Sequence, residues 1–403
     1  MSTDVGSSVG GRLRVLVVHN AYQLRGGEDS VVESESALLR QHGHDVDLLL
    51  RHNDDVDGMS SLSVARQTLW SSETLAAMQA RIASFRPDVI HVHNTLPLVS
   101  PSVFWAADRA GVPVVQTLHN FRLMCPQATF LRDGRVCEDC LGRAPWPALT
   151  HRCYRGSAVQ TGAVAAMVML HRGLGTWQRK VTRYIALNEF CRGKFIEGGL
   201  PAARIDVKPN FVDHLTQPQW GERSGGLYVG RLSVEKGVAT LIKAMQAHPQ
   251  HGIQVVGSGP LEGDLAAATS GVWLGVRPLE EVLQRLSRAA FLVLPSACYE
   301  GFPRTLVEAY ACGVPVIASR HGSLKELVHE GRTGLLFEPG DAAGLADCIR
   351  WAQAHPEAML DMGRAARDEY ERRYTPQRNH EQLTAIYRRA IGDVARSGGA
   401  HVC

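Results

Sequence analysis

Two glutamates, Glu300 and Glu308, stand eight positions apart in the second half of the chain. An ionised carboxylate accepts hydrogen bonds and donates none, so it pairs well with neighbouring sugar hydroxyls. Two such groups around an anion site suit a ligand that has one sugar on each side of a diphosphate, which describes a nucleotide sugar. The alternative is that Glu300 caps a helix and Glu308 is an ordinary surface residue, because charged side chains are usually exposed.

The segment between the two glutamates can supply the anion site. The apolar run of residues 291–294 predicts a buried strand, and Pro303 suits the first position of a helix that ends near Gly313. A helix start presents unpaired N–H groups and a partial positive charge. The residues from Gly301 to Thr305 are therefore predicted to bind an anion such as a pyrophosphate, and the glycine leaves the approach open.

A second segment carries the matching positive charge. Arg231 and Lys236 follow the predicted strand of residues 227–230, and a glycine stands next to each of them. Cations placed directly after a strand and between glycines favour phosphate binding. The alternative is a surface turn with a solvated ion pair, which is the usual role of lysine and glutamate.

Together the two segments resemble the signatures of a family of retaining glycosyltransferases of the GT-B fold, glycosyltransferase family 4, also called glycosyl transferases group 1. The resemblance runs from about Arg14 to the last predicted helix. It implies an α/β fold of two Rossmann-like parallel-sheet domains that face a central cleft, with a C-terminal helix crossing back. It also implies that Glu308 holds the ribose hydroxyls and that Glu300 contacts the transferred sugar. Arg231 and Lys236 would neutralise the diphosphate.

The resemblance extends the donor side to other loops. The turn that contains Gly257 and Gly259 is weak by itself because such turns are common, and the loop at Arg277 would contact the nucleobase. The complete predicted donor-binding set is Glu308, Gly301, Phe302, Pro303, Arg304, Thr305, Gly257, Gly259, Arg277 and Asn210.

The composition of the whole chain sets outer limits. Its 403 residues are enough for two domains with sizeable cores, and 45% hydrophobic with 21% charged residues is ordinary for a globular protein. A net charge of +3 and the lack of a long basic stripe give no indication of a nucleic-acid partner. The polar, Gly/Ser-rich residues 1–11 do not resemble a signal peptide, so we expect a cytoplasmic protein.

Three predicted strands of the N-terminal half end in the same dipeptide: His19-Asn20, His93-Asn94 and His119-Asn120. Ligands of open α/β sheets bind at the carboxyl ends of the strands, so we expect all three pairs at one cleft. Two glycines that open the first helix either let a substrate approach the backbone or form a plain tight turn. The predicted acceptor-side residues are Gly26, Gly27, His93, Asn94 and Asn120.

Three histidines at one edge could bind a metal ion, but a polar cleft wall with hydrogen-bonded imidazoles is the favoured interpretation. His119 is a separate case. The sequence Thr117-Leu118-His119-Asn120 resembles the position from which GT-B enzymes place a histidine against the donor sugar. The predicted catalytic set is therefore His119, Glu300, Arg231 and Lys236.

The residues from Phe121 to Tyr154 interrupt the alternation of strands and helices. They contain four cysteines with the spacing C-x11-C-x2-C-x12-C, which are Cys125, Cys137, Cys140 and Cys153. A C-x2-C pair with outlying cysteines in a reducing compartment favours a structural zinc site over disulfides, and free buried thiols are the main alternative. We expect no cofactor to be required for catalysis. Because these cysteines follow His119, we expect chelation to disturb acceptor use before donor binding.

An apolar helix predicted from Ala158 onward ends in a cluster of basic residues before Tyr184. Such a helix either contacts a membrane surface or a lipid-linked acceptor, or packs in the domain with a solvated basic face. The second interpretation is favoured because packed amphipathic helices are common. The apolar run is too short to cross a membrane.

These patterns divide the chain into parts. Residues 12–212 form the acceptor domain, with the cysteine-rich insertion at 121–154, and 213–225 are a linker. Residues 226–375 form the nucleotide-sugar domain, and 376–393 are the crossover helix, with Leu383, Ile386 and Tyr387 at helical spacing. Residues from Arg396 onward are expected to form a loose tail.

The function that these residues and motifs favour is transfer of a sugar from a nucleoside diphosphate sugar to an acceptor hydroxyl. The acceptor would be a carbohydrate, a lipid-linked molecule or a small molecule, in bacterial polysaccharide, glycolipid or glycosylated-metabolite synthesis. One alternative is a GT-B relative that hydrolyses or isomerises nucleotide sugars. Another is a nucleotide-sugar-binding protein without catalysis.

Overall fold

A computed structural model of the chain describes residues 11–213, 217–269 and 271–399. Most of the polar N-terminal segment, part of the predicted linker (214–216) and the last four residues of the predicted tail lie outside the described residues. The chain divides into two compact units. Unit 1 contains residues 1–117, 166–185 and 382–403, and unit 2 contains residues 118–165 and 186–381.

Strands and helices alternate along most of the chain. The strands are β1 (Arg14–Ala21), β2 (Asp45–His52), β3 (Val89–Val92), β4 (Val114–Leu118), β5 (Leu131–Arg132), β6 (Arg135–Val136), β7 (Arg183–Ala186), β8 (Ile205–Val207), β9 (Gly226–Val229), β10 (Ile253–Val256), β11 (Phe291–Leu294), β12 (Val316–Ser319) and β13 (Gly334–Phe337). The helices are α1 (Gly27–Gln41), α2 (Ser61–Leu69), α3 (Ser72–Phe85), α4 (Ser102–Arg109), α5 (Trp146–Thr150), α6 (Ala158–Gly173), α7 (Glu189–Glu197), α8 (Val238–Ala247), α9 (Glu262–Ala268), α10 (Leu279–Arg288), α11 (Arg304–Ala311), α12 (Gly322–Leu327), α13 (Ala342–Ala354), α14 (Pro356–Arg373) and α15 (Pro376–Gly399).

The first sheet has the strand order β2-β1-β3-β4-β7-β8, and the pairs of β1 with β2, β1 with β3 and β3 with β4 are parallel. The central strands are buried on both faces because helices cover a sheet that is built from parallel crossovers. Leu383, Ile386 and Tyr387 of α15 pack in the same hydrophobic cluster as Val15 and Val89, as their helical spacing predicts. The helix extends to Gly399, so the expected loose tail from Arg396 is wrong as far as the described residues reach.

The second sheet has five parallel strands in the order β10-β9-β11-β12-β13. Strands β9 and β11 lie at the strands predicted for residues 227–230 and 291–294. The sequence also predicts a strand at residues 272–275, and this prediction is wrong. Only one isolated bridge forms there, at Trp273, because Gly271 and Gly275 both adopt left-handed conformations and end the extended run. Strand β13 was not predicted from the sequence.

Helix α6 and the residues after it lie where an amphipathic helix was predicted. His171 and Trp177 are buried, Lys180 donates to Asp108 at 2.6 Å, and Arg183 donates to Asp393 at 2.8 Å. These contacts agree with the packed-helix interpretation. Among the described residues, no helix has the length and apolarity that crossing a membrane requires.

Candidate active site

The structure of unit 2 brings two predicted catalytic residues into direct contact. Lys236 Nζ donates to both carboxylate oxygens of Glu300, at 2.8 and 2.9 Å, and Ser296 Oγ donates to Glu300 Oε1 at 2.5 Å. The Glu300 side chain is only 10% exposed, whereas that of Lys236 is 35% exposed. The carboxylate is thus buried, whereas part of the Lys236 side chain remains exposed.

The electrostatics of this pair favour the ionised state of both groups. Burial acts to raise the pKa of Glu300, but the charge and hydrogen bonds of Lys236 and the hydroxyl of Ser296 outweigh it, and the pKa lies below its ordinary value. Burial acts to lower the pKa of Lys236, but the charge of Glu300 outweighs it, and this pKa is raised. The site therefore contains a fixed negative charge and a fixed positive charge at neutral pH.

Local backbone geometry places Lys236 beside the end of β11. Gly237 is the N-cap of α8 with φ of 71°, and a Cβ atom at this position would lie 1.7 Å from the carbonyl oxygen of Pro295. Only glycine allows both the left-handed conformation and this close approach. The fixed turn brings Lys236 to the loop that contains Ser296 and Glu300.

A second close approach joins the Glu300 loop to His119. A Cβ atom on Gly301 would lie 2.5 Å from the His119 carbonyl oxygen, so glycine is required for this contact. Asn188, which caps α7, donates from Nδ2 to the Gly301 carbonyl at 2.7 Å. The His119 backbone therefore fills the space beside Gly301, and the structure places His119 next to the predicted donor loop.

Helix α11 begins at Arg304, and Pro303 is its N-cap rather than its first residue. Glu308 is buried, with Arg304 Nε 3.8 Å from Glu308 Oε1, so the alternative of an ordinary surface glutamate is wrong. Glu300 does not cap the helix. Within the described part of the chain, the buried Nη1 atom of Arg304 has no hydrogen-bond partner. An unsatisfied guanidinium donor at a helix start fits an anionic ligand.

The other residues of the predicted donor-binding set differ in their burial and in their contacts. Phe302 is a core residue whose ring meets the Tyr374 ring edge-to-face at 5.7 Å, so only its backbone is at the loop. Asn210 is buried, and its Oδ1 has no hydrogen-bond partner in the described ranges. Arg277 is exposed and forms an ion pair with Glu281 at 3.6 Å. Thr305 lies half-buried in the first turn of α11.

The two glycine-flanked loops of unit 2 lie side by side. Leu232 N donates to the Ser258 carbonyl at 2.9 Å, which joins the Arg231 loop to the turn that contains Gly257 and Gly259. Arg231 has an exposed side chain, and its carbonyl accepts a hydrogen bond from Tyr228. The structure thus brings the predicted phosphate cations and this turn to neighbouring positions.

Three residues of this site were not predicted from the sequence. Ser296 comes two positions after the last residue of β11, so its position near the carboxyl end of a strand could have indicated it. His321 Nε2 lies 2.8 Å from the Ser296 carbonyl oxygen, and burial lowers the pKa of His321. Tyr299 stacks edge-to-face on Phe190 at 4.8 Å, and no local pattern predicts this contact.

In unit 1, the residues predicted on the acceptor side form a hydrogen-bonded group. Gly26 is the N-cap of α1, and its N–H donates to Asp29, which also bonds His19 Nε2 at 2.8 Å. Asn94 donates to the Asn20 carbonyl at 2.8 Å. The first two His-Asn pairs therefore meet at one edge, as predicted, and Gly27 opens the helix beside them.

A possible metal cluster lies within this group. Among the described residues, only Glu35, His91 and His93 place three ligand atoms within 4.8 Å of one another. Both ring nitrogens of His91 already have partners, however, because Thr117 Oγ1 lies at 2.8 Å and Tyr387 Oη at 2.7 Å. The arrangement fits a polar, hydrogen-bonded wall better than a metal site.

Two family descriptions match the sequence. "Glycosyl transferase 4-like domain" matches residues 26–210, and "Glycosyl transferases group 1" matches residues 224–355. The chain is 31% identical to a glycogen synthase of Mycobacterium tuberculosis, with 70% of this chain and 64% of that protein covered. It is 26% identical to the sulfoquinovosyl transferase SQD2 of Arabidopsis thaliana, with 76% of this chain and 59% of that protein covered. The chain thus spans less than two thirds of the length of either relative.

Solved structures show the same fold. A sucrose-phosphate synthase from Thermosynechococcus elongatus superposes with a TM-score of 0.70 at 19% identity, covering 94% of this chain and 100% of that chain. Anabaena Alr3699/HepE in complex with UDP-glucose superposes with a TM-score of 0.65 at 18% identity, covering 93% of this chain and 99% of that chain. These similarities confirm the GT-B fold that the sequence predicts.

Proposed function

Because this chain belongs to the group 1 glycosyltransferases of the GT-B fold, we propose that it transfers a sugar from a nucleoside diphosphate sugar to an acceptor hydroxyl. The observation that carries the proposal is the buried Glu300, which Lys236 and Ser296 hold beside the start of α11. A buried ion pair is by itself weak evidence of a stabilising role. The Lys236–Glu300 pair is partly exposed and lies beside a helix start, which favours a role in ligand binding. Alr3699/HepE was crystallised with UDP-glucose, which supports a nucleotide-sugar donor here.

In this proposal the diphosphate lies between the start of α11 and the two cations. The Lys236 side chain is partly exposed, and its ammonium group would bind a phosphate while it still donates to Glu300. Arg231 is exposed on the neighbouring loop, and Arg304 contributes the unsatisfied guanidinium donor. Positive charge fixed in advance stabilises the phosphate as negative charge develops on it, with no reorganisation at the moment of reaction.

The two glutamates bind the sugars at the ends of the diphosphate. Glu308, inside α11, accepts from the ribose hydroxyls, and Glu300 accepts from the hydroxyls of the transferred sugar. His119 orients that sugar from the other side of Gly301, whose missing side chain allows the contact. No residue requires a bound cofactor in this scheme.

We further propose that the reaction retains the anomeric configuration. Double displacement would need a carboxylate below the anomeric carbon, and Glu300 is committed to Lys236 and Ser296. The remaining route keeps the acceptor and the leaving group on one face, with the departing phosphate stabilised by the cations.

For the acceptor, we propose a carbohydrate or lipid-linked molecule used at the cytoplasmic face of a membrane, with bacterial polysaccharide or glycolipid as the product. Four large apolar side chains on α6 or just after it are exposed: Val159, Met169, Leu170 and Leu174. Exposed apolar groups on one helix favour contact with lipid, although singly exposed apolar residues are common. A small-molecule acceptor is the second candidate.

The function is tested by incubating the protein with nucleoside diphosphate sugars in the presence and absence of candidate acceptors. We expect a glycosylated acceptor, and release of free sugar that is far slower than transfer, because a positioned acceptor competes with water. The products are identified by mass spectrometry, and the anomeric configuration by NMR. Equal release of free sugar with and without acceptor would identify a hydrolase, and an altered donor without acceptor would identify an isomerase.

A further inference from the structure

The cysteine module, residues 121–154, has little regular structure to hold it. It contains two strands of two residues each and one helix of five residues. Four non-glycine residues in it adopt left-handed backbone conformations: Ala128, Phe130, Asp133 and Arg152. Such conformations persist only where the surroundings fix them. The module therefore needs a source of order other than secondary structure.

The fold brings the four cysteines of this module together. Cys125, Cys137, Cys140 and Cys153 all line one cavity, although they are spread from one end of the module to the other. Each of them is a free thiol, and Cys125 and Cys140 are buried. Four thiols around one cavity are the ligand set of a closed tetrahedral site.

Burial raises the pKa of Cys137, Cys140 and Cys153, and nearby amide N–H groups and one cation oppose this only in part. The backbone N–H of Asp139 lies near the Cys137 sulfur, and the backbone N–H of Ala148 lies near the Cys140 sulfur. The guanidinium of Arg132 also lies near Cys137. Hydrogen bonds from amides and a nearby cation stabilise negative charge on sulfur.

We propose that the four cysteines bind one divalent ion of the zinc class, which crosslinks the module. Bonds of about 2.3 Å in a tetrahedron place the sulfur atoms about 3.8 Å apart. In the described part of the chain, no three of these sulfur atoms lie within 4.8 Å of one another, so binding must draw them inward. Four thiolate ligands leave no open coordination position, so the ion is structural rather than catalytic.

The module contacts the candidate active site at the residue next to Glu300. The Phe130 ring meets the Tyr299 ring edge-to-face at 6.0 Å, and the Tyr299 hydroxyl lies near the Glu138 carboxylate. Glu138 in turn accepts from Lys194 at 2.8 Å. Phe130 and Glu138 both lie inside the module, so an ordered module fixes the position of Tyr299.

A second connection leads to His119. The Arg122 N–H donates to Asn120 Oδ1 at 3.1 Å, and the Arg122 guanidinium lies over the Tyr154 ring at 4.8 Å. Tyr154 follows the metal ligand Cys153. The metal ion therefore orders the parts of the module that contact Tyr299, next to Glu300, and Asn120, next to His119. This changes the expectation from sequence order: loss of the ion should disturb donor binding together with acceptor use.

The test uses the full-length protein purified without added metal, and compares a double variant, Cys137→Ser with Cys140→Ser, with the control Cys348→Ser. Cys348 is a half-buried thiol on α13, outside the module. We expect about one zinc ion per chain by elemental analysis in the wild type and the control, and at least a roughly tenfold loss in the double variant. Replacement by Co²⁺ should give the absorption bands of tetrahedral thiolate ligation.

Hydrogen exchange provides the readout for the positioning role. The double variant should lose protection in residues 121–154 and at Tyr299 and Glu300, with protection of the first sheet unchanged. If the double variant does not fold, a thiol reagent added to the wild type should release zinc as the four thiols react. The proposal would be overturned if the wild-type protein contained no metal, had its four module cysteines as alkylatable thiols or as disulfides, and still had native stability. Loss of metal without any change at Tyr299 would overturn the positioning role.

Discussion

Replacing Lys236 with alanine is expected to lower kcat by about 10² to 10³-fold, which is the usual effect of removing one group that stabilises developing charge. The donor KM should change by a smaller factor, because the charge on the phosphate grows as the glycosidic bond breaks. Steady-state kinetics with varied donor measures both parameters. The matched control is Lys243→Ala, which removes an exposed lysine from α8, the helix that follows Lys236.

The structure adds a second consequence of this substitution. Without Lys236, the buried Glu300 loses the charge that lowers its pKa, so the pKa of Glu300 should rise. A buried charge without a partner destabilises the fold, whereas neutralising both partners is tolerated better. The double variant Lys236→Ala with Glu300→Gln should therefore be more stable in thermal unfolding than Lys236→Ala alone. An effect confined to KM, with kcat unchanged, would contradict a role in leaving-group stabilisation.

Replacing His119 with alanine is expected to reduce transfer by about 100-fold, because a sugar that is misplaced by about 1 Å loses this much rate. The protein should remain folded, since the contact with Gly301 uses the His119 backbone carbonyl and not its ring. The measurement is the transfer rate at saturating donor, with thermal unfolding as the test of folding. His355→Ala, an exposed histidine between α13 and α14, is the control. Turnover at the wild-type rate would exclude His119 from the site.

The elements that carry the site could be predicted because their signals are local. The apolar run of β11, the proline before α11 and the glycines around Lys236 each act through neighbouring residues. Alternation of apolar runs and helical patterns then predicts two parallel sheets, and the structure has them. The predicted domain boundaries remain a prediction.

Contacts between distant positions could not be predicted in this way. Lys236 and Glu300 are separated by 64 positions, and no sequence pattern near either residue predicts their ion pair. The core packing of Phe302 against Tyr374 is equally non-local, although the motif suggested a binding residue. Strand β13, residues 334–337, was not predicted, although its run is as long as that of β11.

The most direct test of the proposed donor site is a calorimetric titration of the wild type and of Glu308→Gln with a panel of nucleoside diphosphate sugars. We predict that at least one donor binds the wild type and raises its unfolding free energy, by about 2.7 kcal/mol at 100 times its Kd. Glu308→Gln should bind that donor roughly tenfold more weakly or worse, because a neutral amide replaces a charge-assisted acceptor at the ribose. A wild-type protein that binds no nucleoside diphosphate or nucleotide sugar would contradict the proposed function, and equal affinity in the two proteins would contradict the role of Glu308 at the ribose.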